Sequence, residues 1–321
     1  MATMVAAPAR KRGAAGHPGP TGTSGGHLVR KRRLFWPFLT PALVLYVVFL
    51  VAPTIVTGVL SFTRWAGAGD TPQFTGFGGY LRMFASDSFR SALVNTLMYV
   101  VVGGAGTFLL AFLFTMVLRD MPGGKLVRTI LFFPNIVAPV ALAMFFSFLF
   151  KSDDKGLANF FLGGLGIDPV HFLAPENVTL TVIGALVWAS SGFYITILMA
   201  AVDRIPPYLY EDAEIAGASA WQKFRAITLP LTWDVVGVAG VLWTINALKI
   251  FELVFVLAGP GTYSPPTAAW TLGIYVFDRS FGSQGTPDYG GASACAVVMI
   301  ALTSVFVVLL RRLMRRDTIQ F

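Results

Sequence analysis

Asn246, Lys249 and Glu252 stand at i, i+3 and i+6 inside an otherwise apolar run that reads "NALKIFE". An amide, an ammonium and a carboxylate together supply strong donors and acceptors. At about 100° per residue the three share roughly 120° of one helix face, with Phe251 beside them. Such a stripe suits a polyhydroxylated solute, whose hydroxyls need donors and acceptors and whose ring needs an aromatic face. The plainer alternative is that Lys249 and Glu252 pair with each other or sit near a membrane interface. Ionisable groups inside apolar runs are functional candidates in their own right.

A second polar feature is "EDAEIAGASAWQKFRAITLP", Glu211–Pro230, between two long apolar runs. Pro206 and Pro207 suit a helix start. Glu211, Asp212 and Glu214 fall early, where the helix dipole favours anions. Gly217 ends that short helix or admits another backbone. Trp221, Phe224 and Ile227 then form an apolar stripe, and Pro230 opens the next run. The expectation is a helix–turn–helix with an acidic knob. Its spacing leaves two readings open, an amphipathic element resting on lipid or a docking surface for a partner.

The elements that hold these residues follow from composition. The chain has 321 residues, 55% hydrophobic and 12% charged, with mean hydropathy +0.69. Soluble domains carry about 25% charged residues, so the class is a polytopic membrane protein. Six runs reach the roughly 20 apolar residues that a bilayer requires: Leu34–Phe62, Ser91–Leu118, Thr129–Phe150, Val178–Val202, Leu231–Ala258 and Ala292–Leu310. Runs of that length must be helical, because each span has to satisfy its own backbone. The fold class is therefore all-α, a membrane bundle of six helices. Residues 1–33 are expected to be a disordered basic tail, residues 34–316 the helical domain with the polar loop at 206–230, and residues 317–321 a short tail.

Lys and Arg set orientation. With the N-terminus inside, 17 of the 24 basic residues fall in cytoplasmic segments and 6 outside. Both termini are then cytoplasmic, as is the loop 206–230. This placement accounts for the net charge of +8 without nucleic acid. Proline and glycine punctuate the spans, with Pro134 and Pro139 in the third and Gly103, Gly104 and Gly106 in the second. These suit kinks and close helix packing.

Other chemistry is sparse. Gly124–Lys125 lacks the remainder of a phosphate loop. The single cysteine, Cys295, excludes an intrachain disulfide, and His17, His27 and His171 show no metal spacing. Asn177-Val178-Thr179 matches an N-glycosylation sequon. Asn135, Tyr194, Ser190 and Ser191 are weaker candidates for lining a path. Trp270, Tyr275 and Asp278 belong to an external loop that suits a binding protein or a gate.

The polar loop resembles the EAA loop of permease subunits of binding-protein-dependent ABC importers. Glu211, Ala213, Gly217, Ile227, Leu229 and Pro230 agree with six of the seven defined positions of that pattern, and Asp212 replaces its middle Ala. Ala216 stands where many relatives have Asp. "LSFTRW", "FGGYLRMF", "FRSALVNTLMY", "KGLANFFLGGLG" and "ALKIFELVFVLAGPG" are similar to segments of the carbohydrate branch, the maltose and glycerol-3-phosphate type, over residues 34–316. The resemblance implies the type I importer permease fold and a location in the bacterial plasma membrane. It implies a second, different permease, two ATPase subunits that carry ATP and Mg, an extracellular solute-binding protein and a sugar substrate. The chain itself would bind no cofactor or metal and catalyse no reaction. Glu211, Asp212, Ala213, Gly217, Ile227, Leu229 and Pro230 would couple to the ATPase, and Asn246, Lys249, Phe251 and Glu252 would line the path. An ion-coupled secondary transporter of a small polar solute is the alternative, and it would require intramembrane carboxylates, for which Glu252 is the candidate.

Overall fold

The computed structural model describes residues 25–67, 69–119, 121–151, 156–259, 264–282 and 286–314, with residues 25–35 as backbone only. The chain divides into two compact units, Met1–Ile55 and Val56–Phe321. In the first, helix α1 runs Gly25–Tyr46 and passes into a π-helical turn over Val47–Val51. It starts inside the stretch expected to be disordered. That expectation is corrected for residues 25–33, where Leu28–Arg33 holds no glycine or proline to stop a helix growing backward. Residues 1–24 and the C-terminal tail at 317–321 lie outside the described residues.

Helix α2, Ala52–Leu60, leads into the second unit. A small hairpin follows, β1 (Thr63–Arg64) antiparallel to β2 (Gln73–Phe74), with Thr63 opposite Phe74. Next come α3 (Gly78–Ala85), α4 (Asp87–Met98), a π-helical turn at Tyr99–Gly103 and α5 (Gly104–Arg119). The third segment is α6 (Gly124–Phe132), a 3₁₀ turn at Phe133–Ile136 and α7 (Pro139–Leu149). Short α8 (Leu157–Gly164) precedes the long α9 (Val178–Val202). The polar loop holds α10 (Tyr208–Ile215), α11 (Ala220–Lys223), a π-helical turn at Phe224–Thr228 and α12 (Leu229–Leu231). Then follow α13 (Trp233–Leu248), α14 (Glu252–Ala258), α15 (Leu272–Phe281) and α16 (Tyr289–Leu313).

Among the described residues, four helical stretches are long and apolar enough to cross a bilayer: Trp36–Leu60, Asp87–Arg119, Val178–Val202 and Tyr289–Leu313. The count reaches six when two bent pairs are each read as one span. These are Gly124–Ile136 with Pro139–Leu149, bent by 98°, and Ala220–Leu231 with Trp233–Leu248, bent by 75°. The expected third span is thus two helices. Pro139 has no N–H to continue the ladder, and it forces Ala138 into an extended conformation, ψ 136°. The expected fifth span is corrected twice. Pro230 lies in α12 rather than opening the span, which starts at Trp233 after the bend. The helix also stops at Leu248, well before Ala258.

Helix α9 is apolar on every side and buried on most of them, through Val182, Ile183, Leu186, Ile195 and Leu198. An all-round apolar helix of this kind belongs at the centre of a bundle. Its neighbours approach closely where the sequence is small. Gly103 and Gly104 make room for the Trp243 indole, which donates its Nε1–H to the Val100 carbonyl at 2.8 Å. Gly192 takes the backbone of Leu131 and Phe132, where a Cβ would overlap the Leu131 carbonyl.

Gly192→Ala should therefore destabilise the folded chain by about 1–3 kcal/mol. A lowered Tm of the detergent-purified protein would register this, with Gly184→Ala as a control. Gly184 sits on the same helix with open space around it, so that change should be neutral or slightly stabilising.

Candidate functional site

Two breaks in the apolar helices face each other across an open cleft of about 380 Å3. One wall is the α6–α7 break, with Pro134, Asn135, Val137 and Pro139. The second is α9, with Ser190, Phe193 and Tyr194. The third is the α13–α14 junction, with Asn246, Lys249, Phe251 and Glu252. All four residues expected to line a path thus reach one cavity, but not as a stripe on a continuous helix. Lys249 caps α13 at φ −97°, Phe251 has φ −137° and ψ −66°, and Glu252 opens α14.

One contact at the α13–α14 break comes from far along the chain. The Ile250 carbonyl accepts a hydrogen bond from the Thr271 hydroxyl at 2.9 Å. No glycine or proline marks the site in "NALKIFE", so local reading of the sequence misses it.

Asn246, Lys249 and Glu252 are exposed in the cleft and Phe251 is half-buried. Among the described residues no ion pair joins Lys249 to Glu252. Phe251 stacks on Phe255 with centroids 5.1 Å apart and meets Phe277 at 5.3 Å. Tyr194 interacts with the Asn246 side chain and meets Trp243 edge-on. Asn135 donates to the Ala189 carbonyl at 2.9 Å, which pins the α6–α7 break to α9. Ser191 is buried and bonded within its own helix. The cleft therefore offers an ammonium, a carboxylate, an amide and aromatic faces in one concavity, the usual make-up of a small-molecule site.

Trp270 and Tyr275 are corrected from external recognition groups to core anchors. Trp270 donates to the Pro265 carbonyl and Tyr275 packs edge-on against Phe89, both nearly fully buried.

The polar loop is the expected pair of short helices. Helix α10 ends at Ala216, and Gly217 takes φ +75°. The Gly217 and Ala218 amides then donate back to the Glu214 and Ala213 carbonyls, both at 2.9 Å, a Schellman end. Helix α11 starts with a reciprocal cap between Ser219 and Gln222, whose S-x-x-Q signal stands in the sequence. Lys223 bridges back to Glu214 at 2.6 Å. The pair is moored to the bundle through Tyr210, which lies under the Arg119 guanidinium at 3.0 Å and shares a hydrogen bond with Thr228 at 3.0 Å.

This arrangement divides the expected coupling residues. Glu211, Asp212 and Gly217 are exposed, together with Ile215 and Trp221, whereas Ala213, Ile227, Leu229 and Pro230 are half-buried. The outward surface is the acidic start of α10 and its Ile215–Gly217 end. The Ile-x-Leu-Pro end joins the pair to α13.

Comparison with known proteins bears on both features. Residues 108–318 match the model of the family described as binding-protein-dependent transport system inner membrane component. The chain belongs to this family. The permease is 29% identical to the trehalose/maltose transport system permease protein MalF of Thermococcus litoralis over 90% of its own length and 96% of the relative's. It is 28% identical to the lactose transport system permease protein LacF of Rhizobium radiobacter, over 84% and 90% of the two chains. Among solved structures it is similar to a chain of a bacterial alginate ABC transporter in complex with a periplasmic protein bound to an alginate pentasaccharide. That likeness has TM-score 0.76 and 27% identity, over 92% of this chain and 98% of that one. The fold is accordingly that of an ABC-importer permease, and the chain is a multi-pass inner-membrane transport component. The ion-coupled alternative finds no support among these relatives.

The hydrogen bond and charge of Lys223 hold the exposed Glu214 carboxyl below its ordinary value of 4.5. A lowered carboxylate contributes its stabilisation above the unfolded-state pKa and loses it as pH falls through the folded value. Hydrogen-exchange protection of the Gly217 and Ala218 amides should therefore drop on acidification below that range. In Lys223→Met the protection should be lower at neutral pH and change less on acidification.

Proposed function

We propose that this permease is one of two different membrane subunits of an ATP-driven importer of a sugar or oligosaccharide. The cleft between the helix breaks carries the reading. It gathers Asn246, Lys249 and Glu252, all solvent-reaching, beside Phe251 in the middle of an apolar bundle. Charged groups there are expensive unless a path needs them. Hydroxyls of a sugar would bond the amide, ammonium and carboxylate, and Phe251 would offer a ring face. Relatives named for trehalose/maltose, lactose and diacetylchitobiose support the substrate class.

The same reading assigns the remaining parts. An extracellular solute-binding protein delivers the sugar. Two ATPase subunits hold ATP and Mg, and this chain binds neither. The ATPase docks on the outward surface of α10 around Glu211, Asp212 and Gly217, while Ala213, Ile227, Leu229 and Pro230 carry its motion into α13. The excess of Lys and Arg on one side supports cytoplasmic termini and a cytoplasmic helix pair.

Reconstituted transporter in proteoliposomes tests the path. With maltose, trehalose and lactose as probes, Glu252→Ala should lower uptake roughly tenfold, as expected for losing a hydrogen bond to a charged group. The complex should stay intact. Unchanged uptake kinetics for every transported probe would remove Glu252 from the path.

Gly217→Trp tests docking. A side chain at Gly217 meets nothing within 4 Å in this chain, so interference must come from a partner or from the left-handed backbone. Co-purification of the ATPase and uptake should both be lost in Gly217→Trp. They should be largely kept in Gly217→Asn, which tolerates that backbone. Full uptake by the Trp variant would refute docking at this surface.

A further inference from the structure

The segment Thr267–Leu272 is held by polar side chains of two long helices. Asn95 of α4 donates to the Ala268 and Trp270 carbonyls at 2.7 and 3.2 Å. Thr179 of α9 donates to the Ala268 carbonyl at 2.9 Å. The Thr96 hydroxyl accepts from the Leu272 amide at 3.0 Å. Between these moorings Thr271 is fully buried. Its hydroxyl accepts from the Ile274 amide at 3.1 Å, capping α15, and donates to the Ile250 carbonyl at 2.9 Å.

Ile250 lies inside the α13–α14 junction, between Lys249 and Phe251. One buried hydroxyl thus both starts α15 and holds the break that turns Lys249, Phe251 and Glu252 into the cleft. On the same side Gly273 sits against this junction, where a Cβ would meet the Ile250 oxygen at 3.3 Å and the Phe251 Cβ at 3.4 Å.

We propose that Thr271 is a positioning residue for the cleft: its hydroxyl fixes the helix break that presents Lys249 and Glu252, so that the outer segment 264–272 and the cleft move as one. The mechanical claim stands on the geometry, and its relevance to transport rests on the cleft being the solute path. A buried hydroxyl bound at both ends is suited to this role, because it ties the Ile250 carbonyl and the Ile274 amide to one fixed point.

The test reads the geometry without any solute. In the full-length chain, assembled in membrane vesicles and carrying Cys295→Ala, single cysteines are placed by Lys249→Cys, Glu252→Cys or, on the opposite wall, Ser190→Cys. Labelling rates with a small maleimide are then compared. Thr271→Val should change labelling at 249 and 252 by about fivefold, the population change expected from losing one net hydrogen bond. The rate at 190 should stay the same, and Thr271→Ser should restore the original rates. Gly273→Ala gives an independent arm: it keeps the hydroxyl, pushes on Ile250 and Phe251, and should also shift 249 and 252 alone. Unchanged rates at 249 and 252 in both variants, or an equal change at 190, would overturn the proposal. If the rates shift as expected while sugar uptake by Thr271→Val is normal, the positioning role stands and the reading of the cleft as the path falls.

Discussion

A backbone carbonyl or amide inside an apolar bundle must find a partner, because no water reaches it. An unbroken helix meets this requirement by itself. This chain interrupts its helices in the interior and in the polar loop, and named side chains reach backbone carbonyls and amides at several of the interruptions. The Trp243 indole serves Val100 at the π-helical turn, Asn135 ties the α6–α7 break to α9, and Thr271 serves Ile250 at the α13–α14 junction. The turn before α15 is served by Asn95, Thr96 and Thr179. Other buried hydroxyls, those of Thr115, Thr232 and Thr244, instead bond carbonyls one turn back in their own helices.

The cleft is a product of these interruptions. Straight helices pack side by side along their length and leave narrow grooves between them. Two chains that stop and turn leave a concavity, and their ends aim side chains at a common point. Lys249 and Glu252 flank the non-helical residues and so emerge on the open side, while Leu248, Leu253 and Val254 remain in the core. The two charged groups thereby sit at the surface of an open cavity, where they suffer less desolvation than they would in the packed core.

Much of this was legible in the sequence, and the exceptions share a cause. The apolar runs, their number and the charge bias followed from length and composition. The polar loop followed from Pro207, the early acids and Gly217, and its resemblance to a known loop named the family correctly. Asn246, Lys249 and Glu252, conspicuous in so apolar a run, do meet in one cleft. Their local conformation did not hold: the helix stops at Leu248, and the contact made there by Thr271, a residue distant in sequence, leaves no local signature. Pro134 and Pro139 signalled a kink, but a 98° bend depends on Asn135 reaching α9 and on Leu131 lying against Gly192. Spacing likewise could not tell which motif residues of the polar loop face outward. That division depends on Tyr210 and Phe224 anchoring one side of the pair to α5.

The helix pair at Tyr208–Leu231 is built from pieces too short to persist alone, since isolated helices of this length are marginal in water. Here the left-handed Gly217, the Ser219–Gln222 cap, the Glu214–Lys223 bridge and the Tyr210 mooring order it within the chain itself. A partner that meets this element finds it already shaped, so little chain entropy is surrendered on contact. The element's stiffness comes from these cross-contacts and not from an unbroken helix, since the left-handed Gly217 and the non-helical Thr232 both interrupt the path from Ile215 to α13.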